Sequence, residues 1–151
     1  MLYKDRPKNF NPKFDIVSCF IEVDGEILLL HRQDNKPQGD TWGVPAGKKD
    51  IVESIEEAIK REIKEEISYD SVFSDLKYFG KVFVQYPAFD FIYHIFHLPL
   101  KNKPKIEINS VEHKDYAWKT PESALKMKLI EDEDECIKLF YKEKLSAKNS
   151  F

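Results

Sequence analysis

Glu62, Glu65 and Glu66 crowd the end of the stretch GKKDIVESIEEAIKREIKEEI, Gly47 to Ile67. Three carboxylates this close can assemble oxygen ligands for a hard divalent ion such as magnesium. Whether they do depends on the helix that carries them. Ser54 followed by Glu57 fits a capping box, which starts a helix at about Ile55. At roughly 100° per residue, Ile55, Ile59, Ile63 and Ile67 form one apolar stripe with Ala58 just beyond its edge, and that stripe must face a core. Lys60, Lys64, Glu57 and Arg61 project the other way, where Arg61 and Glu65 can pair one turn apart. Glu62 and Glu66 fall between Ala58 and Ile59, within about 20° of Ile55, on the core side. Glu65 sits at the margin of the same face, and Glu56 also projects onto the apolar arc, in the first turn. Like charges one turn apart repel, and burial raises a carboxyl pKa unless a cation compensates. A bound metal removes both penalties. An acidic helix edge paired with lysines accounts for the same residues, and the wheel does not decide between the two.

The surrounding chain must position that helix. FDIVSCFIEV and EILLLHRQ are β-rich segments separated by Asp24-Gly25, a pair suited to the positive φ angles of a tight hairpin. DNKPQGDTWGVPAGKKD carries Gly, Pro and Asp at turn-forming intervals and reads as a long binding loop leading into the helix. LKYFGKVFVQY and FDFIYHIFHL form a second strand pair joined through Pro87-Ala88, with short strands expected at KIEI and HKDYAWK. Thr120 before Pro121 and Glu122 marks a helix start, and DEDECIKLFYKEKL reads as a closing amphipathic helix. Strand pairs with an inserted and a terminal helix imply an α/β fold, a mixed sheet covered by helices, in one domain over residues 1–151.

Composition excludes several classes. Net charge is -3, from 24 basic and 27 acidic residues, which marks neither a nucleic-acid-coating nor a membrane-surface protein. The densest aliphatic run, Ile27 to Leu30, is too short to cross a bilayer, and the N-terminal residues lack an apolar signal core. The expectation is a cytoplasmic protein with no membrane partner and no extended nucleic-acid surface. Cys19 and Cys136 stand in no metal-binding spacing and read as reduced, buried thiols.

Gly47, Glu53 and the run Arg61-Glu62-Ile63-Lys64-Glu65-Glu66 together resemble the signature box of the Nudix hydrolases. Such fixed positions coincide by chance on the order of once in ten thousand or less. WGVPAGK and the upstream hairpin resemble the family's approach to the box, so the likeness covers roughly Phe14 to Trp118. One position departs. After the paired glutamates the family has glycine, whereas this chain has Ile67, Ser68 and Tyr69. A serine closing the helix in a left-handed conformation costs ~1 kcal/mol or more, or forces another ending.

The resemblance implies a Nudix-type α/β/α sandwich, a mixed β-sheet flanked by helices. It further implies divalent-metal-dependent hydrolysis of a nucleoside diphosphate linked to another group, with Mg2+ as cofactor and Mn2+ as its alternative. By similarity Glu62 and Glu66 are the principal metal ligands, Glu65 is a further ligand or the base that orients water, and the Gly47 carbonyl is an additional ligand. Glu53 and Arg61 form a supporting pair that holds the loop against the helix. Glu112 is a second candidate base. Arg32, always charged and able to grip oxygens bidentately, is a candidate phosphate contact, as more weakly is Lys48. A plain surface role serves Glu112, Arg32 and Lys48 about as well.

For a nucleobase, Phe14, Trp42, Phe83, Tyr86, Phe89, Phe91 and Tyr93 are available, but strand alternation does not say which face is open. His94 and His97, three apart in a strand, face opposite sides, which argues against a shared metal site. The expected substrate is a nucleoside triphosphate or related small nucleotide; a nucleotide-sensing or partner-binding module without turnover is the alternative. A homodimer is compatible with the sequence.

Overall fold

A computed structural model describes residues 1–143 and 145 of the chain, so Lys144, within the expected closing helix, lies outside the described residues. In chain order the elements are β1 (Leu2–Tyr3), β2 (Pro12–Val23), β3 (Glu26–Arg32), β4 (Trp42–Gly43), β5 (Ala46–Lys48), α1 (Ile55–Ile67), β6 (Lys77–Gln85), β7 (Asp90–Pro99), β8 (His113–Lys119), α2 (Pro121–Ala124) and α3 (Glu133–Phe140). Asp24 and Gly25 turn β2 into β3 with φ of 50° and 78°, the mirror-image turn whose twist suits a tight hairpin. The strands form one sheet in the order β1-β6-β7-β2-β3-β4, with β5 also on β2 and β8 on β3. It is mixed: β2 and β7 run parallel and the remaining pairs antiparallel.

The hairpin is paired only near its turn, at Glu22↔Ile27 and Val23↔Glu26. Beyond it the strands part. β3 takes β4 and β8 as partners, while β2 pairs with β5 at Val17↔Gly47 and Ser18↔Ala46. Residues 42–48 therefore bridge the gap between two diverging strands. By its turn-forming residues this stretch reads as loop, although WGVPAGK resembles the family's strand and loop leading into the box. It contains two short strands instead, because its backbone groups complete edges that the divergence leaves unpaired.

Alternation along β2 sends Val17, Cys19 and Ile21 to one face and Phe20 to the other. The first face packs on Ile59, Ile63 and Ile67 of α1, all fully buried, each worth about 1.5 to 3 kcal/mol of apolar transfer. On the second face Phe20, Ile27, Leu29 and Ile95 pack against Ala124 and against Cys136 and Ile137 of α3. Helices on both faces of a mixed sheet are the expected α/β arrangement. Cys19 and Cys136 are free and buried. His94 meets Asp15 and Tyr78, whereas His97 meets Glu22 and Phe140, so the two histidines do point to opposite faces.

KIEI is not a strand. Residues 105–108 pair with no sheet neighbour. Instead the Glu107 and Asn109 N–H groups donate to the Ile67 and Glu66 carbonyls at 3.1 Å, strapping down the end of α1. Helix-terminal carbonyls lack intrahelical partners, and this segment supplies them. Thr120 caps α2, but the helix is a single turn. α3 starts at Glu133, as the closing amphipathic pattern indicates.

Candidate functional site

Both ends of α1 are fixed by groups the sequence supplies. At its start Ser54 Oγ accepts the Glu57 N–H at 3.1 Å and Glu57 accepts the Ser54 N–H at 3.0 Å, a complete capping box. At its end Ser68 adopts the left-handed conformation, φ 60° and ψ 31°, with its N–H donating to the Lys64 carbonyl. The serine therefore takes the backbone shape that glycine adopts more cheaply.

Arg61 is the hub of the charged side. Its Nη2 and Nε grip Glu53 Oε1 and Oε2 at 2.6 and 3.1 Å, and Nη2 also donates to the Lys48 carbonyl at 3.0 Å. This fork ties residues 48–53 to the helix. The bond from Arg61 holds the Glu53 carboxyl below its ordinary range. Nη1 reaches Glu62 Oε1 at 2.8 Å and Glu65 Oε2 at 3.2 Å. Burial raises the Glu62 pKa, with Arg61 opposing.

Glu66 differs from both. It is only 8% exposed, its Oε2 accepts the Ala46 N–H at 3.1 Å, and it faces a cleft rather than Arg61. Burial, then the charge of Glu62, pushes its pKa well above the usual carboxylate range. Gly47 lies against Glu62, where a Cβ would stand 2.1 Å from Cδ. The atoms it would meet are the end of the Glu62 side chain, which Arg61 holds in place. Among the described residues no three His, Cys, Asp or Glu side chains converge as a metal cage. The physical reason is visible: Arg61 holds Glu62 and Glu65 together, and Glu66 turns inward. The donors nonetheless fit a hard cation. Glu62 and Glu66 bring two carboxylates to a strand that carries no side chain at Gly47, the oxygen chemistry that hard ions take.

The cleft has a volume of about 590 Å³ and opens where β2 and β3 part. Glu66, Gly47, Lys48, Arg32 and His113 line one region, and Phe14, Tyr86, Phe89 and Phe91 make an aromatic wall. Tyr93 also lines it, whereas Trp42 stacks on His31 and Phe83 packs edge-on against Phe10. Lys48 Nζ sits 4.2 Å above the Phe14 ring. Arg32 donates from Nε to the Pro37 carbonyl at 2.9 Å while lining the cleft. Glu112 pairs with Lys36 at 3.5 Å, and its charge raises the Glu66 pKa.

Sequence reasoning missed three lining residues. His113 is buried, its Nδ1 has no hydrogen-bond partner, and burial with nearby Arg32 lowers its pKa to about 4, which keeps the ring neutral. Glu133 is 3% exposed, and burial raises its pKa to about 7. Asp132 adjoins it. The only sequence mark of either acid is its place at the start of a helix, where acids are ordinary.

A family model described as NUDIX domain matches residues 12–140. The chain is 28% identical over 117 residues to the CTP pyrophosphohydrolase of Escherichia coli, covering 76% of this chain and 82% of that protein. Among solved structures, a MutT protein from Methanosarcina mazei superposes with a TM-score of 0.77 at 26% identity, over 89% of this chain and 96% of that one. A bifunctional NMN adenylyltransferase/ADP ribose pyrophosphatase from Francisella tularensis, complexed with AMP and a Mn ion, gives 0.70 at 25% identity. That match covers 89% of this chain but 43% of the larger protein.

Proposed function

The chain belongs to the NUDIX family, and we propose that it acts as one domain to hydrolyse a pyrophosphate bond in a nucleoside triphosphate or related small nucleotide, using Mg2+ or in its place Mn2+. The observation that carries this is Glu66: a buried, cleft-facing carboxylate with a raised pKa, beside an arginine and an aromatic wall. The relatives support the reading, one by its name as a CTP pyrophosphohydrolase and another by its AMP and Mn ion.

In this proposal Glu62 and Glu66 hold the cation, with the Gly47 carbonyl as a further ligand. When bound, the cation neutralises phosphate oxygens and acidifies a water. Glu65, 54% exposed at its side chain, takes the water's proton at a carboxylate oxygen. Arg61 and Glu53 set the rotation of the helix relative to the strand carrying Gly47. Arg32 and Lys48 offer positive charge to phosphate oxygens along the cleft. The aromatic wall stacks the base and keeps water from that end. A cytoplasmic setting belongs to the same proposal and suits two reduced cysteines.

The test is turnover with Mg2+ across a nucleotide panel, comparing Glu66→Gln with the parent. A fall of at least about 100-fold in kcat with unchanged folding is expected, and unchanged turnover would sink the role. A second reading, a nucleotide-binding module without turnover, is favoured by one observation: Arg61 already holds Glu62 and Glu65. Nucleotide binding without hydrolysis of any substrate would select it.

A further inference from the structure

Tyr78, His94 and Asp15 lie outside the lining of the cleft. They stand on three neighbouring strands, β6, β7 and β2, where Tyr78 pairs with Phe96 and Asp15 with Ile92, each two residues from His94. Strand alternation sends all three to the face that packs on α1. Tyr78 Oη stands 3.0 Å from His94 Nδ1, and His94 Nε2 stands 2.7 Å from Asp15 Oδ2. One tautomer completes the chain: the phenol donates to Nδ1, and the Nε2–H donates to the carboxylate. The imidazole is held in place, because His94 is buried and Ser18 Oγ donates to its backbone carbonyl at 2.8 Å. An acid that orients an imidazole facing an O–H is the arrangement of a positioned base.

Here the O–H belongs to a phenol, whose ring can also give up an electron. Tyr78 is 45% exposed, so a reagent in water reaches that ring. Burial, then the charges of Glu56 and Asp15, raises the phenol pKa and disfavours the bare phenolate. Losing the electron together with the proton avoids that anion. The proton follows a hydrogen bond already made, and the positive charge it carries onto the imidazole comes to rest against Asp15. Among the described residues no other phenol is bonded to an imidazole: Tyr86 donates to the Glu131 carbonyl and Tyr141 to Glu22. Tyr116 supplies a comparison within the molecule, since it is 40% exposed and its phenol has no hydrogen bond among the described residues.

We propose that Tyr78 is a proton-coupled oxidation site, open to modification by one-electron oxidants of the nitrogen dioxide class, with His94 as the proton acceptor and Asp15 as its positioning residue. The Oη–H bond breaks, the electron passes to a nitrogen dioxide radical, which becomes nitrite, and the proton passes to His94 Nδ1. A second nitrogen dioxide forms a C–N bond at the ring carbon beside the oxygen. The hydrogen of that carbon moves to the oxygen as the ring becomes aromatic again, and His94 returns its proton to water. The product is nitrotyrosine.

Nothing in this step depends on the nucleotide reading, and no substrate is needed. Brief exposure of the whole protein to peroxynitrite supplies the radicals, and peptide mass spectrometry reads nitration residue by residue. Tyr78 is expected to be nitrated at least about tenfold more than Tyr116, the low side of what a positioned base contributes to a proton transfer. His94→Gln keeps an oxygen for the phenol bond but no base, and should bring that ratio close to one. Asp15→Asn keeps an acceptor for the Nε2–H without the charge, and should lower the ratio partway. Denaturation curves verify that both variants fold. A second measurement needs neither variant: after flash oxidation by tris(bipyridine)ruthenium(III), the tyrosyl radical signal that Tyr78→Phe removes should form more slowly in heavy water. Equal nitration of Tyr78 and Tyr116, an unchanged ratio in either variant, or the same rate in both solvents overturns the inference.

Discussion

Replacing Gly47 with alanine should destabilise the protein through one side chain, and the structure says which. The new Cβ would lie 2.1 Å from Glu62 Cδ and 2.2 and 2.3 Å from its two oxygens. The Gly47 φ is outside the left-handed region, so backbone strain adds nothing. Glu62 must therefore move by more than 1 Å, roughly the gap to an ordinary contact. Its side chain is 13% exposed and bonded to Arg61 Nη1 at 2.8 Å, so that movement strains packing and loosens the pair. Overpacking costs about 1 to 3 kcal/mol, and we expect about 2 in a urea titration with chelator present. In a Glu62→Ala background the space is open. There Gly47→Ala should cost nothing or stabilise by a few tenths to about 1 kcal/mol, as the unfolded chain loses freedom. The coupling energy of the cycle is then about 2 kcal/mol. If Gly47→Ala costs the same in both backgrounds, the clash with Glu62 is not what excludes a side chain from this position.

Two further outcomes follow from the structure. Ser68→Gly should raise stability by about 0.5 to 1 kcal/mol in denaturant, since the residue is left-handed at φ 60° and loses only an exposed bond from Oγ to the Glu107 carbonyl. For Glu133, the folded pKa of about 7 exceeds the unfolded value of 4.5, so the folded state binds the extra proton between those values. Stability from this group is therefore full below pH 4.5 and lost as pH rises to about 7, a change of roughly 3 kcal/mol. The stability of the parent relative to Glu133→Gln should fall across that window in matched denaturant titrations. A flat difference would mean the carboxyl is not shielded from water.

The parts of the site legible in sequence are those where one residue type has one local use. Asp24-Gly25 needs positive φ, Ser54 and Glu57 satisfy backbone donors, and the isoleucines repeat with the helix period. Glu62 and Glu66 stood out because they broke that period. Residues 105–108 were misread because alternating isoleucines suit a strand as well as a strap; what decides is the pair of open carbonyls at the end of α1, which no local pattern reveals. The open face of the aromatic strands was hidden for a similar reason. Phe14, Phe89 and Phe91 reach the cleft because β2 and β3 diverge, and divergence is a property of pairing. Glu133 was invisible because its sequence neighbourhood is an ordinary acidic helix start. Its buried setting comes from Val44 and Tyr93, distant in the chain.

The parallel pairing of β2 with β7 also bears on how the protein reaches its folded state. Ser18 Oγ donates to the His94 carbonyl across 76 residues of sequence, and the strands on either side of that bond supply Phe14 and Phe91 to the aromatic wall. Contacts of such long range close large loops before they return any stabilisation, which places them among the slow events of folding. The hairpin and the glutamate helix are local and can form early, but the wall cannot exist until the two halves of the chain have met. Capture of the proposed nucleotide during refolding would then lag behind the recovery of helical signal, making ligand binding a clock for the last stage of assembly.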